Sequence, residues 1–258
     1  MNTLLVGCGN MGRALLDGWL AAGALRPGDV TVADPLAQAP AGVRRVAEVP
    51  QSDFDLVVLA IKPQQFAQAV STLRAATDGA LVLSILAGVE TRQLVAALPG
   101  ARVARIMANL AAAFGRSPVA LFAGRGLTRA DRDTLDRLGG ALGPVAWLED
   151  ENLLHAVTAL GGSGPGFVYR LLEAFARGGA ELGLEAEQAA AMALAMVRGA
   201  AELAARSGED FSALAARVAS PGGTTQAGLA VLDRGADRLI AETLRAARDR
   251  SEELAHDG

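Results

Sequence analysis

Two glycine-containing segments near opposite ends of the chain carry residues suited to holding anions. The first reads Gly7-Cys8-Gly9-Asn10-Met11-Gly12, and the second reads Ser220-Pro221-Gly222-Gly223-Thr224-Thr225. A proline followed by two glycines stops a helix, and the next helix then starts with unpaired backbone N–H groups. We expect Gly222, Gly223 and Thr224 to supply these groups, with Ser220 as the N-cap. The second segment therefore predicts either a binding site for a small anion or an ordinary capped turn between two helices.

The first segment has the surroundings that a dinucleotide-binding loop requires. It directly follows the apolar run Thr3–Val6 and opens a helical pattern, which gives the GxGxxG spacing its strand–turn–helix context. The three glycines allow a tight turn, a close approach of a pyrophosphate and close packing of helix on strand. The N-terminus of the helix adds N–H groups and positive potential, so we expect the loop of Gly7, Gly9 and Gly12 to bind a dinucleotide. A purely structural glycine-rich turn is the alternative.

Asp34 ends the second strand-like run and bears on the choice of cofactor. An acid at this position suits the ribose 2′-hydroxyl and repels a 2′-phosphate, which favours NADH over NADPH. The alternative is a simple Asp-Pro turn. Arg44 and Arg45 follow on an expected loop and could serve a phosphate, so both NADH and NADPH stay open.

Lys62 closes the third strand-like run and is the one lysine among 24 basic residues. Ligands of open α/β sheets bind outside the carboxyl ends of the strands, and a compact ammonium differs from the arginines used elsewhere. We therefore expect Lys62 to lie at the cofactor edge. The neighbouring positions predicted at this edge are Ala60, Pro63, Ala87 and Asn109.

Several function classes are disfavoured by what the chain contains. Its two histidines, His155 and His256, and its one cysteine, Cys8, do not suffice for a histidine-rich or thiolate metal site, so we expect no metal. A net charge of −4 gives no reason to expect nucleic acid as a partner. We see no membrane span and no signal peptide. The single cysteine fits a reducing compartment, which predicts a cytoplasmic location.

The elements that would hold these residues divide the 258-residue chain into two domains. Residues 1–150 alternate strand-like and helix-like segments, which predicts a Rossmann-type, doubly wound α/β domain. The expected strands are Thr3–Val6, Val30–Ala33, Asp55–Ile61, Leu81–Leu86, Arg102–Met107, Val119–Phe122 and Val145–Leu148. Helices are expected between most of them, including Met11–Ala22, Gln64–Ala76 and Thr128–Leu142.

Residues 151–258 read as helices only, which predicts an all-α domain. The expected helices are Gly164–Leu182, Glu185–Arg206, Phe211–Val218, Thr224–Leu232 and Asp237–Ala255. The alanine-rich segment Ala186–Ala205 has few charges for a surface helix, so we expect it to be buried or to lie between subunits. The acidic run Glu149–Glu151 is interpreted as a solvated helix start.

The chain offers no convincing acid–base pair or activated nucleophile, so a bound cofactor would carry the reaction. Hydride transfer to a carbonyl normally needs a proton donor. An iminium nitrogen can already be protonated, so its reduction needs less from the protein. The inventory is therefore compatible with reduction of a cyclic imine.

Over nearly its whole length the chain resembles the pyrroline-5-carboxylate reductases, the enzymes of the last step of proline biosynthesis. The resemblance rests on Gly7–Gly12, on Ile61-Lys62-Pro63-Gln64, on the segment 156–165, and on Ser220–Thr225 with Gly228-Leu229. The family's Met-Pro-Asn-Thr-Pro-Ala segment reads Met-Ala-Asn-Leu-Ala-Ala here, at 107–112. His155 stands where the family has aspartate.

The resemblance implies a function and a set of site residues. It implies reduction of 1-pyrroline-5-carboxylate to L-proline with NADPH or NADH. It also implies that the cofactor is contacted by Gly7, Gly9, Asn10, Met11, Gly12, Lys62 and Ala87. The substrate carboxylate and ring nitrogen would be held by Ser220, Gly222, Gly223, Thr224 and Thr225, with Thr225 as the catalytic residue that hydrogen-bonds the ring nitrogen. Family members are homodimers with interleaved C-terminal helices, often assembled further into decamers.

Two other function classes stay open. A β-hydroxyacid dehydrogenase has a similar architecture, but that class uses a lysine on the helical domain, and this chain has none there. A reductase of another small imino or hydroxy acid is related to this alternative. A divergent paralogue that binds a dinucleotide without turnover would instead explain the altered segment at 107–118.

Overall fold

The computed structural model describes residues 1–124 and 126–256, and its N-terminal part is built on one eight-stranded sheet. The strands are Thr3–Val6 (β1), Val30–Ala33 (β2), Arg44–Val46 (β3), Leu56–Leu59 (β4), Leu81–Ser84 (β5), Arg102–Met107 (β6), Val119–Ala123 (β7) and Val145–Leu148 (β8). Their order across the sheet is β3-β2-β1-β4-β5-β6-β7-β8. Neighbouring strands are parallel except β6 and β7, which are antiparallel.

The strand order reverses at β1, because β2 and β4 pair on its two sides. The carboxyl ends of β1, β2, β4, β5 and β6 consequently meet at one edge of the sheet. In open α/β sheets ligands bind in the crevice at such a switch point. The fold thus brings the predicted cofactor residues to one edge.

The helices surround the sheet and then make up the rest of the chain. They are Asn10–Ala21 (α1), Pro63–Thr77 (α2), Thr91–Ala97 (α3), Arg129–Leu142 (α4), Leu153–Val157 (α5), Gly164–Glu181 (α6), Ala186–Ser207 (α7), Phe211–Val218 (α8), Thr224–Leu232 (α9) and Ala236–His256 (α10). Short 3₁₀ helices span Pro27–Asp29 and Leu110–Phe114, and a π-helix spans Thr158–Gly162. Among the described residues no helix has the length and apolar character needed to cross a membrane.

Helices cover both faces of the sheet, and this explains the strand sequences. All residues of β1, β2, β4 and β5 are buried, as expected for parallel strands packed on two sides. On one face Trp19 of α1 is fully buried, and its indole N–H donates to the Leu138 carbonyl at 3.0 Å. On the other face Phe66 of α2 and Leu94 of α3 join the core.

The chain forms two compact units. One contains Met1–Gly162 and the C-terminal segment from Ala246 onwards, and the other contains Ser163–Arg245. The first unit therefore extends beyond the boundary expected at residue 150. Hydrogen bonds join this extension to the sheet: Glu151 accepts from Thr91 and Arg105, and the Gly161 carbonyl accepts from Asn109.

The predicted fold class is confirmed, including all seven expected strands. Three elements of the sheet unit were not expected, namely the strand β3 and the short helices α3 and α5. Sequence analysis took Arg44–Val46 for a loop, because a three-residue edge strand with two arginines has no apolar run. Helix α3 was missed because it has only seven residues, too few to show a helical period.

Helix α7 was expected to be buried or to lie between subunits, and in the single chain it is largely exposed. Burial within the chain is therefore excluded, and a place between subunits stays a prediction. Ala189 and Ala193 are its buried residues. The Ala189 methyl lies so close to Gly179 of α6 that a Cβ at Gly179 would be 3.2 Å from it. Small residues thus allow close contact of α6 with α7 within this unit, while the rest of α7 is open.

Candidate active site

In the turn after β1, backbone atoms lie so close together that only glycine fits at two positions. Gly7 has a φ of +86°, and a Cβ there would lie 2.7 Å from the Ala60 carbonyl oxygen. A Cβ at Gly12 would lie 2.6 Å from the Gly7 carbonyl oxygen. These positions exclude side chains, so α1 can start directly against the end of β1.

The backbone of this loop fits a dinucleotide pyrophosphate. A Cβ placed on Gly9 would meet nothing within 4 Å, so the N-terminus of α1 is open above it. Gly9 is also the N-cap of α1, and no side chain caps the helix. A cleft of about 440 Å³ lies over the loop and is lined by Cys8, Gly9 and Asn10 among others. Uncapped N–H groups and an open cleft are what an anionic group needs here.

Asp34 connects the end of β2 to the glycine loop. Its Oδ2 accepts from the Cys8 N–H at 2.8 Å, and its Oδ1 accepts from the N–H groups of Leu36 at 2.8 Å and Ala37 at 3.0 Å. Burial raises the pKa of Asp34, but these hydrogen bonds and Arg45 outweigh it, so the pKa lies below its usual value. An ionised carboxylate has about four acceptor sites, so about one stays available for a ribose hydroxyl.

Cys8 lies in this loop but is not set up as a nucleophile. Its side chain is buried, and burial raises the pKa of the thiol. The thiolate is the reactive form of cysteine. Cys8 therefore serves as a small residue within the turn.

The remaining predicted cofactor residues follow β4, β5 and β6 at the same edge. Lys62 is exposed and starts α2, with its N–H donating to Gln65 Oε1 at 3.1 Å. Ala60, half-buried, donates its N–H to the Val6 carbonyl at 2.8 Å. Pro63 is the first residue of α2, and Ala87 is exposed after β5. The fold thus brings these residues to the same sheet edge as the glycine loop.

A smaller cavity of about 160 Å³ lies beside the ends of β5 and β6. Its lining combines apolar groups with one charged side chain and consists of Met11, Ile85, Leu86, Ala87, Arg105, Ile106, Met107, Ala108, Leu154, Thr158 and Gly162. Met11 belongs to the glycine loop and Ala87 to the β5 turn. A mostly apolar cavity next to a phosphate-binding loop suits a flat ring.

Asn109 holds two chain segments together rather than facing open space. Its Nδ2 donates to the Gly161 carbonyl at 2.7 Å, and its Oδ1 accepts from the Ala111 N–H at 2.9 Å. Its backbone N–H donates to Ser117 Oγ at 2.8 Å. Asn109 therefore ties the 3₁₀ helix after β6 to the π-helix Thr158–Gly162, a type of turn often found at functional sites. Direct contact with a cofactor stays a prediction.

The Ser220–Thr225 loop joins α8 to α9, and its hydrogen bonds differ from those expected. The N-cap of α9 is Gly223, and Ser220 does not cap the helix. The Gly222 N–H donates to Gln226 Oε1 at 2.7 Å, and the Gly223 N–H donates to the Ser220 carbonyl at 2.9 Å. Both groups were expected to be unpaired, and for both the expectation was wrong.

The first turn of α9 nevertheless keeps an open N-terminus. No side chain caps it, and Thr224 and Thr225, its first two residues, are exposed. Gly222 has a φ of +70°, a left-handed conformation that glycine adopts without strain. The available N–H groups thus begin two residues further along the chain than expected, at Thr224 and Thr225 instead of Gly222 and Gly223.

Sequence analysis missed a buried ion pair at the cofactor edge. Arg105 is 7% exposed and donates from Nη1 to Glu151 Oε1 at 2.8 Å. The interpretation of Glu149–Glu151 as a solvated helix start was therefore wrong for Glu151. Arg105 lies in the middle of an apolar strand, and this burial of a charge was the one signal that a partner was needed.

Comparisons with known protein families agree with both parts of the chain. A family model described as pyrroline-5-carboxylate reductase dimerisation matches residues 151–254. A second family model, described as NADP oxidoreductase coenzyme F420-dependent, matches residues 3–88. The first match covers the helical part and the second covers the glycine loop, Asp34 and Ala87.

Individual relatives match nearly the whole chain. A pyrroline-5-carboxylate reductase of Pseudomonas aeruginosa is 34% identical over 97% of this chain and 95% of its own length. One of Arabidopsis thaliana is 32% identical over 97% of this chain and 94% of its own length. A solved pyrroline-5-carboxylate reductase from Coxiella burnetii has a TM-score of 0.91 at 30% identity and covers 98% of both chains.

Proposed function

The chain belongs to the pyrroline-5-carboxylate reductase family, and on that premise we propose that it reduces 1-pyrroline-5-carboxylate to L-proline with NADPH or NADH. The observation that carries this proposal is the full-length similarity to such reductases, 34% identity over 97% of the chain. The open glycine loop and the uncapped start of α9 support it from the geometry. The function assigned to the chain is thus an oxidoreductase of proline biosynthesis.

We assign the cofactor to the edge of the sheet. Gly9, Asn10, Met11 and Gly12 would hold the pyrophosphate through backbone N–H groups at the start of α1. Gly7 would form the turn beneath it, since its own N–H donates to the Ala33 carbonyl at 3.0 Å. Lys62 would face the phosphates as an exposed cation, and Ala87 would lie against the nicotinamide end. When bound, the reduced nicotinamide supplies the hydride. The family description that includes NADP for residues 3–88 supports the use of NADPH, and Asp34 supports NADH.

We assign the substrate to the Ser220–Thr225 loop. Its N-terminal helix position favours an anion, and the carboxylate of the imino acid is one. The exposed N–H groups of Thr224 and Thr225 would hold this carboxylate. The Thr225 hydroxyl oxygen would accept a hydrogen bond from the iminium N–H. Because that nitrogen is already protonated, the chain needs no general acid at this step.

We propose that two copies pair through the helical unit as an interleaved homodimer, which can assemble further into decamers. An apolar groove of about 350 Å³ between α6 and α10 is lined by Phe167, Arg170, Leu171, Ala174, Leu239, Ile240 and Thr243. Phe175 of α6 is 53% exposed and Leu239 is 60% exposed. Exposed apolar side chains that line one groove favour an interaction site, and the dimerisation family model supports a second copy as its occupant.

We also propose a cytoplasmic location. The sole cysteine of the chain is Cys8, so no disulfide can form within it. Its buried thiol is compatible with a reducing compartment.

The experiment that tests the function is a reductase assay with purified protein. The protein is mixed with 1-pyrroline-5-carboxylate and either NADPH or NADH, and the loss of reduced-nicotinamide absorbance is followed. We expect turnover with at least one cofactor. Binding of NADH without reduction of any cyclic imino acid would contradict the proposal and favour a non-catalytic dinucleotide-binding paralogue.

A further inference from the structure

The loop that follows β5 is fixed at both of its ends by one pair of charged side chains. At its start, the Leu86 carbonyl accepts a hydrogen bond from Arg105 Nη2 at 3.2 Å. At its end, Glu151 accepts from the Thr91 N–H at 2.8 Å and from the Thr91 hydroxyl at 2.7 Å. Arg105 and Glu151 are joined directly, Nη1 to Oε1, at 2.8 Å. Residues 87–90 lie between these two fixed points.

The pair is buried enough for its geometry to be well defined. Arg105 is 7% exposed, and the side chain of Glu151 is 19% exposed. The planar guanidinium has its donors in a fixed arrangement. Its hydrogen bonds therefore orient the Leu86 carbonyl and the Glu151 carboxylate relative to each other. A charged hydrogen bond of this kind is stronger than a neutral one. The pair therefore limits how far the loop can move.

The same loop borders the cavity next to the glycine loop. Ala87 and Arg105 both line the cavity of about 160 Å³, together with Met11 and Met107. The loop held by the ion pair is thus one wall of the space that suits the nicotinamide ring. Displacement of the loop would change that wall and leave the glycine loop itself in place.

We propose that Arg105 and Glu151 are positioning residues that hold the loop 87–90 against the nicotinamide end of the cofactor. This inference rests on the proposed function for the identity of the cofactor. It assigns the pair a role in binding one end of the dinucleotide, beyond a contribution to the stability of the sheet unit.

A second ion pair on the same strand provides a matched control. Arg102, at the opposite end of β6, donates from Nε to Asp131 Oδ2 at 2.8 Å and from Nη1 to the Gly79 carbonyl at 2.6 Å. The side chain of Asp131 is 8% exposed. Both pairs thus join an arginine of β6 to a carboxylate and a backbone carbonyl. The Arg102 pair lies at the amino end of β6, away from the cofactor edge.

The test compares the binding of two ligands by titration calorimetry. NADH carries the nicotinamide end, and ADP keeps the adenosine and pyrophosphate but lacks that end. The variants are Arg105→Lys and Glu151→Gln, and the controls are Arg102→Lys and Asp131→Asn. Because charged hydrogen bonds are lost, we expect Arg105→Lys to weaken NADH binding by about tenfold and to leave ADP binding close to that of the unaltered protein. The controls should bind both ligands normally.

The outcomes separate positioning from stability. A selective loss of NADH affinity in Arg105→Lys or Glu151→Gln supports the proposal. Equal loss of both ligands, no loss, or the same selective loss in the Arg102→Lys control overturns it. If Arg105→Lys does not fold, Glu151→Gln decides, because glutamine keeps the shape and an acceptor for the Thr91 N–H. Thr91→Val, which replaces the hydroxyl by a methyl group and so removes its hydrogen bond to Glu151, gives a third comparison by the same criterion.

Failure of this inference can be told apart from failure of the proposed function. The comparison of NADH with ADP measures binding in the absence of the imine. It can therefore support or refute the positioning role even if the protein does not reduce the imine. Conversely, turnover of the imine with an unselective effect of Arg105→Lys would leave the function intact and refute the positioning role.

Discussion

At the scale of single residues, the Thr225 hydroxyl is the side-chain group assigned to the substrate's ring nitrogen. It lies on the exposed first turn of α9, with no side chain capping that turn. We expect Thr225→Ala to lower kcat/KM for the imine by about tenfold to a hundredfold, the range of a lost hydrogen bond to a charged group. NADH affinity should stay nearly unchanged, and both are measured by steady-state kinetics and calorimetry.

Thr225→Ser is the control, because it keeps the hydroxyl and removes the methyl group. It should retain most of the activity. Equal losses in the alanine and serine variants would show that the methyl group, and with it packing, matters more than the hydroxyl. Loss of NADH binding in step with activity would also refute the assigned role.

The Asp34 carboxylate has two roles, one in the structure of the glycine loop and one in the choice of cofactor. Three backbone N–H groups hold it to the glycine loop and to the turn after β2, and its charge repels a 2′-phosphate. We expect Asp34→Ser to raise the ratio of NADPH to NADH activity. It should also lower the free energy of unfolding by about 1–3 kcal/mol, the cost of leaving a buried donor unpaired.

Two measurements check this prediction, a cofactor comparison at saturating imine and a urea unfolding curve. Asp34→Asn is the matched variant, since it removes the charge and keeps one oxygen for Leu36 and Ala37. An unchanged ratio of cofactors in both variants would show that Asp34 does not read the ribose.

At the scale of elements, the sequence predicted long and regular segments well. All seven expected strands were found, and the apolar runs were clearest for β1, β2, β4 and β5, because strands buried on both faces need mostly apolar side chains. The edge strand β3 and the seven-residue helix α3 lack such a period. Tertiary pairing decides these elements, and single-sequence patterns do not contain it.

The same limit applies to the candidate site. The glycine loop was predicted because its strand–turn–helix context is local in sequence. Arg105 and Glu151 are 46 residues apart, and no local pattern connects them. The donors of the Ser220–Thr225 loop were also assigned wrongly in part, because Gln226 turns back to take the Gly222 N–H, a choice of side-chain direction that spacing does not show.

The groove between α6 and α10 predicts the dimer interface. Leu171 lines this groove and is 45% exposed in the single chain. Burying an unpaired carboxylate in an apolar interface is costly, so we expect Leu171→Glu to shift the protein from dimer or larger assembly towards monomer. Light scattering after size-exclusion chromatography measures this.

Leu36→Glu is the matched control for the dimer prediction. Leu36 is 90% exposed and lies after β2 in the sheet unit. This variant should keep the assembly of the unaltered protein. An unchanged mass for Leu171→Glu, or dissociation in both variants, would contradict the assigned interface.

At the scale of the whole molecule, our proposal divides the reaction between the two compact units of the chain. The unit with the sheet provides the loop and edge that fit a dinucleotide, and the helical unit provides the open helix start that fits a carboxylate. Composition and spacing alone led to an oxidoreductase with a dinucleotide. The identity of the substrate came from the family resemblance, and the full-length relatives support it.

The most direct test follows the transferred hydrogen itself. Purified protein is incubated with 1-pyrroline-5-carboxylate and NADPH or NADH deuterated at the nicotinamide C4 position, and the product is analysed by mass spectrometry and NMR. We expect L-proline with deuterium on the ring carbon that is bonded to nitrogen and does not carry the carboxylate. Two results would contradict the account. One is the absence of proline with both cofactors, and the other is proline that contains no deuterium whichever of the two C4 hydrogens of the nicotinamide is labelled.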